Sequence, residues 1–287
     1  MTNLFNSNNQ ITQKNSALSS QNKEFLQQFS NNVRDICKEL NYITLIDLLA
    51  NMQVINIPKD HLTDSTLKDI NSKIQVLINR GGISIEKNRD INNKLLSNCR
   101  DLSMILCEIL KLKGFSARVR SGFGTFFHPT KKFDHWICEY WCAEQKQWIK
   151  VDAWMAQVQS LESILPSYMK QGLLGIKYNA FNVSDSHFIT GAKAWLNCHD
   201  NNENFDSYGT YEEELKGVWF VRDNLLRDLL CLNNNVPLPW DCFGLMGRNI
   251  SCSDEQKQHL NKLAHKIVDN TLTITESKTF LEAFKIQ

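Results

Sequence analysis

Cys99, His135 and Asp152 each fall at the edge of a regular element within one stretch of chain, Asn98 to Asp152. Together these side-chain types could perform acyl transfer through a thioester. The thiolate attacks a carbonyl, the imidazole takes the thiol proton and later returns it to a leaving amine, and the carboxylate fixes the imidazole tautomer and stabilises the imidazolium. Asn98 has the character of a helix N-cap with Asp101 at the third helical position, and Leu102, Ile105, Leu106, Ile109 and Leu110 recur at helical spacing until Gly114. Cys99 is then the first helical residue, where unpaired backbone N–H groups and the positive end of the helix dipole favour the nucleophilic thiolate. Its own backbone N–H is a candidate oxyanion donor. Cys107, two turns on, has no such advantage and behaves as a small apolar residue.

The elements that must position these groups follow from periodicity. Phe115 to Val119 alternates like a strand, and two runs rich in Trp, Tyr, Ile and Val, His135–Trp141 and Gln147–Val151, predict two more. The polar segment near Ala143 to Lys146 predicts a hairpin between them. For His135 and Asp152 to share a face, paired residue numbers must sum to an odd value, for instance 287, which sets them directly opposite; 288 would set them on opposite faces. Loop length leaves both registers open.

The order Cys, His, Asp, with the cysteine opening a helix that ends in Gly-Phe-Ser-Ala-Arg, then a His-Trp strand and a Trp-Ile-Lys-Val-Asp strand, resembles the transglutaminase-like superfamily of papain-like cysteine enzymes. The gaps, 36 residues from Cys99 to His135 and 17 from His135 to Asp152, are ordinary for that pattern. The resemblance implies Cys99 as nucleophile, His135 as general acid and base, and Asp152 as orienting acid. It also implies an α+β fold: a papain-like core, in which the helix carrying the cysteine packs on a small antiparallel sheet, with helices added at both ends. Asp152 is followed by Ala153-Trp154, where the family often has proline and a small polar residue, a departure that bears on the acceptor side.

The bounds of the chain narrow the function classes. With 287 residues and 42% apolar side chains it can bury a sizeable core, and a net charge of +1 offers no electrostatic case for nucleic acid or a membrane surface. Nine scattered cysteines, no secretory leader and no bilayer-length apolar run predict a reduced, cytoplasmic protein. No cysteine, histidine or acidic spacing suits zinc or calcium, so no metal and no cofactor are expected.

Residues 1–20, rich in Asn, Gln and Ser, predict a loose tail ahead of a single domain over 21–287: a helical part to 90, the catalytic core to 160, and a mostly helical remainder. Helical stripes run from Gln21 to Leu40 and Leu67 to Ile78, with a possible helix from Ile43 to Val54 and another, disturbed by Pro166, from Leu161 to Leu174. Asp200 to Tyr211 reads as loop. Leu225, Leu226, Leu229 and Leu230 predict a helix, Ser253 with Gln256 forms a capping box, and a last helix ends near Phe284.

On the Leu225–Leu230 helix, Arg222, Asp223, Arg227 and Asp228 alternate in charge between Trp219 and Trp240. That pattern suits a solvated or interdomain face. Alternatively it lines the substrate cleft, with Trp136, Trp219, Arg222 and Trp240 as substrate-binding residues, since arginine suits carboxylates and tryptophan flat apolar contact. The stretch also resembles the tail of small bacterial stand-alone transglutaminase-like proteins. The expected function is cysteine-dependent transfer or hydrolysis at an amide or thioester of a peptide, protein or small molecule, with an amine or water as acceptor. The alternative is a non-catalytic binding module that keeps the scaffold.

Overall fold

The computed structural model describes residues 3–5, 18–51, 54–167 and 170–286. Helices and a mainly antiparallel sheet give the chain an α+β composition. The described residues fall into two compact units, one drawn from Lys14–Val119 and Ile137–Val183, the other from Met1–Gln13, Arg120–Trp136 and Ser184–Gln287. Cys99 and Asp152 belong to the former and His135 to the latter.

The Cys99 unit contains α1 (Ser20–Gln27), α2 (Val33–Ile43), β1 (Thr44–Ile46), α3 (Asp47–Asn51), α4 (Ile70–Gly81), β2 (Leu95–Ser97), α5 (Cys99–Leu112), β5 (Gln147–Val151) and α6 (Ala153–Ser160). It also holds the first residues of β3 (Ala117–Gly124) and the last of β4 (Lys132–Cys142). α5 is its centre, buried on every side from Arg100 to Leu110 and packed by α1, α2 and α6. Gly114, at φ +88, ends that helix in a backbone conformation other residues avoid.

Burying α5 completely also buries charge. Asp101 has no exposed surface, and Lys73 (2.9 Å) and Arg100 (3.0 Å) converge on its Oδ1. Lys73 also donates to the Asp64 carbonyl (2.8 Å) and Arg100 to the Lys68 carbonyl (2.6 Å), so the cations keep hydrogen-bond partners away from water.

The stripe from Gln21 to Leu40 is two helices. Asn32 caps α2, and Ser30 between them donates its backbone N–H (2.8 Å) and hydroxyl (2.5 Å) to Glu39, which closes the intervening turn. The possible helix from Ile43 to Val54 gives way to a strand: Thr44, Leu45 and Ile46 pair in parallel with Leu95, Leu96 and Ser97, between the end of α2 at Ile43 and the short helix Asp47–Asn51. Met52 and Gln53 of that stretch lie outside the described residues, as do Tyr168 and Met169 of the stretch from Leu161 to Leu174, where Leu161–Ile164 is turn and Lys170–Leu174 a short π-helical segment.

The His135 unit contains the remaining residues of β3 and β4, then β6 (Phe188–Thr190), α7 (Gly191–Asp200), β7 (Tyr208–Gly209), α8 (Val218–Leu232), α9 (Asp254–Val268) and α10 (Ile274–Ala283). β3 pairs antiparallel with β6, Gly122 opposite Thr190, and β7 lies parallel to the start of β4. The approach at Gly122 is close: a Cβ there would come within 2.3 Å of the Ile189 carbonyl oxygen. Much of the predicted tail lies outside the described residues. Within it, the Leu4 backbone N–H donates to the Leu272 carbonyl (2.8 Å), and Leu4 and Phe5 are buried.

α8 is buried from Phe220 to Leu232, so its alternating charges are not a solvated face. Arg120 on β3 donates through Nε (2.7 Å) and Nη2 (2.8 Å) to the two oxygens of Asp228, a bidentate pair with almost no exposure. Among the described residues no helix is long and apolar enough to cross a membrane.

Removing Lys73 leaves a buried carboxylate with less compensation. The Lys73→Ala variant is expected to lose about 3–5 kcal/mol of unfolding free energy in urea titration, and a loss under about 1 kcal/mol would contradict this account of the cluster.

Candidate active site

Cys99 stands at the first position of α5, half-buried. The Asn98 side chain accepts from the Asp101 backbone N–H (3.0 Å), and the Asp101 carboxylate accepts in return from the Asn98 N–H (3.4 Å). This capping box fixes the first turn and leaves the dipole's positive end at the sulfur. A carboxylate two residues from a thiol would oppose its ionisation. Here Lys73 and Arg100 neutralise that carboxylate.

A second acid lies beside the same turn. β1 and β2 run parallel with Ile46 opposite Ser97, so Asp47 and Asn98 leave the ladder side by side. Burial, with the Asp101 charge adding to it, pushes the Asp47 carboxyl up to about 7. A carboxyl that keeps its proton through mildly acidic pH adds little charge against a thiolate there.

Asp152 is fully buried and caps α6. Its Oδ1 accepts from the Met155 backbone N–H (2.9 Å), the Tyr178 hydroxyl donates to its Oδ2 (2.7 Å), and its own N–H donates to the Ala180 carbonyl (2.8 Å). These bonds fix the orientation of the carboxylate. Burial, together with the Asp152 charge, pushes the Cys37 thiol up to about 12, so Cys37 is inert at neutral pH. Burial likewise pushes Cys198 up to about 12.

The register between β4 and β5 runs from Cys138 opposite Val151 to Cys142 opposite Gln147, each pair summing to 289. The sum is odd, although it is not the 287 of direct opposition. Continued by one step, it sets Asp152 opposite Ile137.

His135 lies on β4 with 1% of its surface exposed. Its ring meets Phe127 (5.3 Å) and Phe126 (5.5 Å) edge to face, with Phe188 at 6.4 Å. The residues on either side of it tie the strand down: Trp136 Nε1 donates to Asp134 Oδ2 (3.3 Å), and Asn224 Nδ2 on α8 donates to Asp134 Oδ1 (2.7 Å).

The four expected substrate-binding residues lie in the His135 unit in unequal settings. Trp136 is fully buried and bonded to Asp134. Arg222 is buried and committed to protein partners, donating Nε to Asp223 Oδ1 (2.8 Å), Nη1 to the Ile250 carbonyl (2.6 Å) and Nη2 to the Gly247 carbonyl (2.6 Å). Trp219 is half-buried against the edge of Phe220. Trp240 is 54% exposed in the following loop.

Sequence reasoning passed over Tyr178, Asp47 and the phenylalanines around His135. The first two carried no signal, since Tyr178 follows an aperiodic stretch and the pairing of the strand before Asp47 spans some fifty residues of chain. The Phe126-Phe127 pair had one: two large apolar residues in a turn-rich segment.

The Asp47 carboxyl keeps its proton to higher pH in the folded chain than in the unfolded one. Its contribution to stability is therefore complete below the unfolded carboxyl value of about 3.9 and is lost as pH rises through about 7. Across urea titrations between those limits, Asp47→Asn is expected to show a flatter fall of unfolding free energy than the parent protein, and an identical slope would contradict the assignment. Comparison with protein-family models, with curated proteins and with solved structures found no match.

Proposed function

We propose that this chain is a cysteine acyl-transfer enzyme of the transglutaminase-like superfamily, built on a papain-like core, with Cys99 as nucleophile, His135 as proton carrier and Asp152 as its orienting acid. The Cys99 Sγ forms a bond to the carbonyl carbon of an amide or thioester while its proton passes to His135. The tetrahedral intermediate collapses, the bond to the leaving amine or thiol breaks, and the imidazolium returns the proton to it. An amine or water then attacks the thioester, giving its proton to His135, and the Cys99 thiol is restored.

The observation that carries this reading is the odd register of the β4–β5 hairpin, the parity that a histidine at 135 and an aspartate at 152 need in order to share a pleat face. Support comes from the placement of Cys99 at a capped helix start whose nearest carboxylate is neutralised. The deep burial of His135 among phenylalanines favours a second reading, a packed imidazole in a non-catalytic binding module.

Limited iodoacetamide labelling at neutral pH, with each cysteine peptide mapped by mass, separates the two. Cys99 is expected to react at least about tenfold faster than the exposed Cys242, whose thiol burial raises, and His135→Ala is expected to erase most of that advantage. Labelling of Cys99 no faster than Cys242 would refute the enzyme reading.

A further inference from the structure

The phenylalanines that flank His135 are the inner end of a longer series of rings. Phe127, in contact with the imidazole, meets Phe133 at 6.1 Å and Tyr211 at 6.2 Å, and Tyr211 lies on Phe133 at 4.5 Å. The series runs from a buried end to an exposed one, with Phe127 half-buried between them. His135 shows 1% of its surface, Phe133 8% and Tyr211 68%. The rings thus form an apolar wall from solvent to the proposed proton carrier, all within one unit.

The wall is built in by the backbone and flanking bonds. A Cβ at Gly124 would come within 2.6 Å of the Phe127 ring and 2.9 Å of the Phe126 ring, so only glycine lets both rings lie over β3. Thr125 anchors the start of the Phe126-Phe127 loop, its N–H donating to the His187 carbonyl (3.1 Å) and its hydroxyl to the Ser186 carbonyl (2.6 Å). At the far end the His128 Nδ1 accepts from the backbone N–H groups of Thr130 and Lys131 (3.2 Å each). Lys131 then bridges to Glu213 on the segment that carries Tyr211.

The charges around the wall are spent on one another. Glu213 takes Lys131 and Lys216 (2.6 Å), which hold its carboxyl down to about 2, and Lys132 pairs with Glu203 (3.0 Å). With these lysines paired and Glu212 and Glu214 also on the Tyr211 segment, the wall offers an anionic substrate group little attraction. What it does offer is a set of ring faces and edges.

We infer that this ring series is a substrate subsite that takes an aromatic side chain of the acyl donor. The assignment rests on the acyl-transfer reading, because it is that reading which gives His135 a reacting bond to serve.

The test uses three thioester probes, the S-ethyl esters of N-acetylphenylalanine, N-acetylleucine and N-acetylglutamate, with the mass gain on the Cys99 peptide followed over time. The phenylalanine probe is expected to acylate Cys99 about tenfold faster than either of the others, and Tyr211→Ala or Phe127→Leu to cut that preference to about twofold. The exposure of Tyr211 makes its replacement compatible with folding. Equal rates for the three probes, a faster leucine or glutamate probe, or a preference that survives both substitutions would overturn the subsite and leave the acyl-transfer reading standing. Absence of acylation at Cys99 with all three would overturn both.

Discussion

A carboxylate with no exposed surface holds the start of the helix on which Cys99 sits. Asp101 closes the capping box with Asn98, and its charge is balanced by Lys73 and Arg100 at about 3 Å. A charge so far from water is costly unless paired and hydrogen-bonded. The cluster therefore binds α5 to α4 and to the segment between Asp64 and Lys68, and holds the first turn of α5 in an arrangement that pairs each of these ions. It also removes the electrostatic objection to an ionised sulfur two residues away.

The other candidate residues are anchored by the same means: polar groups buried only with their partners. Asp152 is held by the first turn of α6 and by the Tyr178 hydroxyl, and a carboxylate with both oxygens engaged has little freedom to turn. The strand that carries His135 is fastened through its neighbour Asp134 to Asn224 and Trp136. Helix α8, with its bidentate Arg120–Asp228 pair and the Arg222–Asp223 pair, is a scaffold for that strand, and its arginine 222 is occupied by backbone carbonyls rather than held ready for a ligand. Specific geometry is what such buried networks supply when every member is satisfied.

Local signals made the helix of Cys99 legible: Asn98 and Asp101 at capping distance, an apolar stripe and Gly114 are all contained in seventeen residues. The hairpin was legible for the same reason, but its register was not, because the four residues from 143 to 146 fit either parity and packing decides between them. Pairings across long separations left no trace. Thr44–Ile46 carries two β-branched residues but lies within a longer apolar run that reads as helix, and its partner Leu95–Ser97 is some fifty residues away. The charge alternation of α8 looks solvated in sequence, and only its partner Arg120, about a hundred residues away, shows why it is buried. The stripe from Gln21 to Leu40 read as one helix because a side-chain contact from Ser30 to Glu39, rather than a proline or glycine, interrupts it.

The central claim is that the sulfur of Cys99 is an acid made strong by its place at a capped helix start and by an imidazole partner. Ultraviolet thiolate absorbance, followed against pH as the difference between the parent protein and Cys99→Ala, measures this directly. The account predicts an inflection below about pH 7, moving upward in His135→Ala, whereas a single inflection at about 8.5 or above, unchanged by loss of the histidine, is the behaviour of an ordinary thiol and would contradict it.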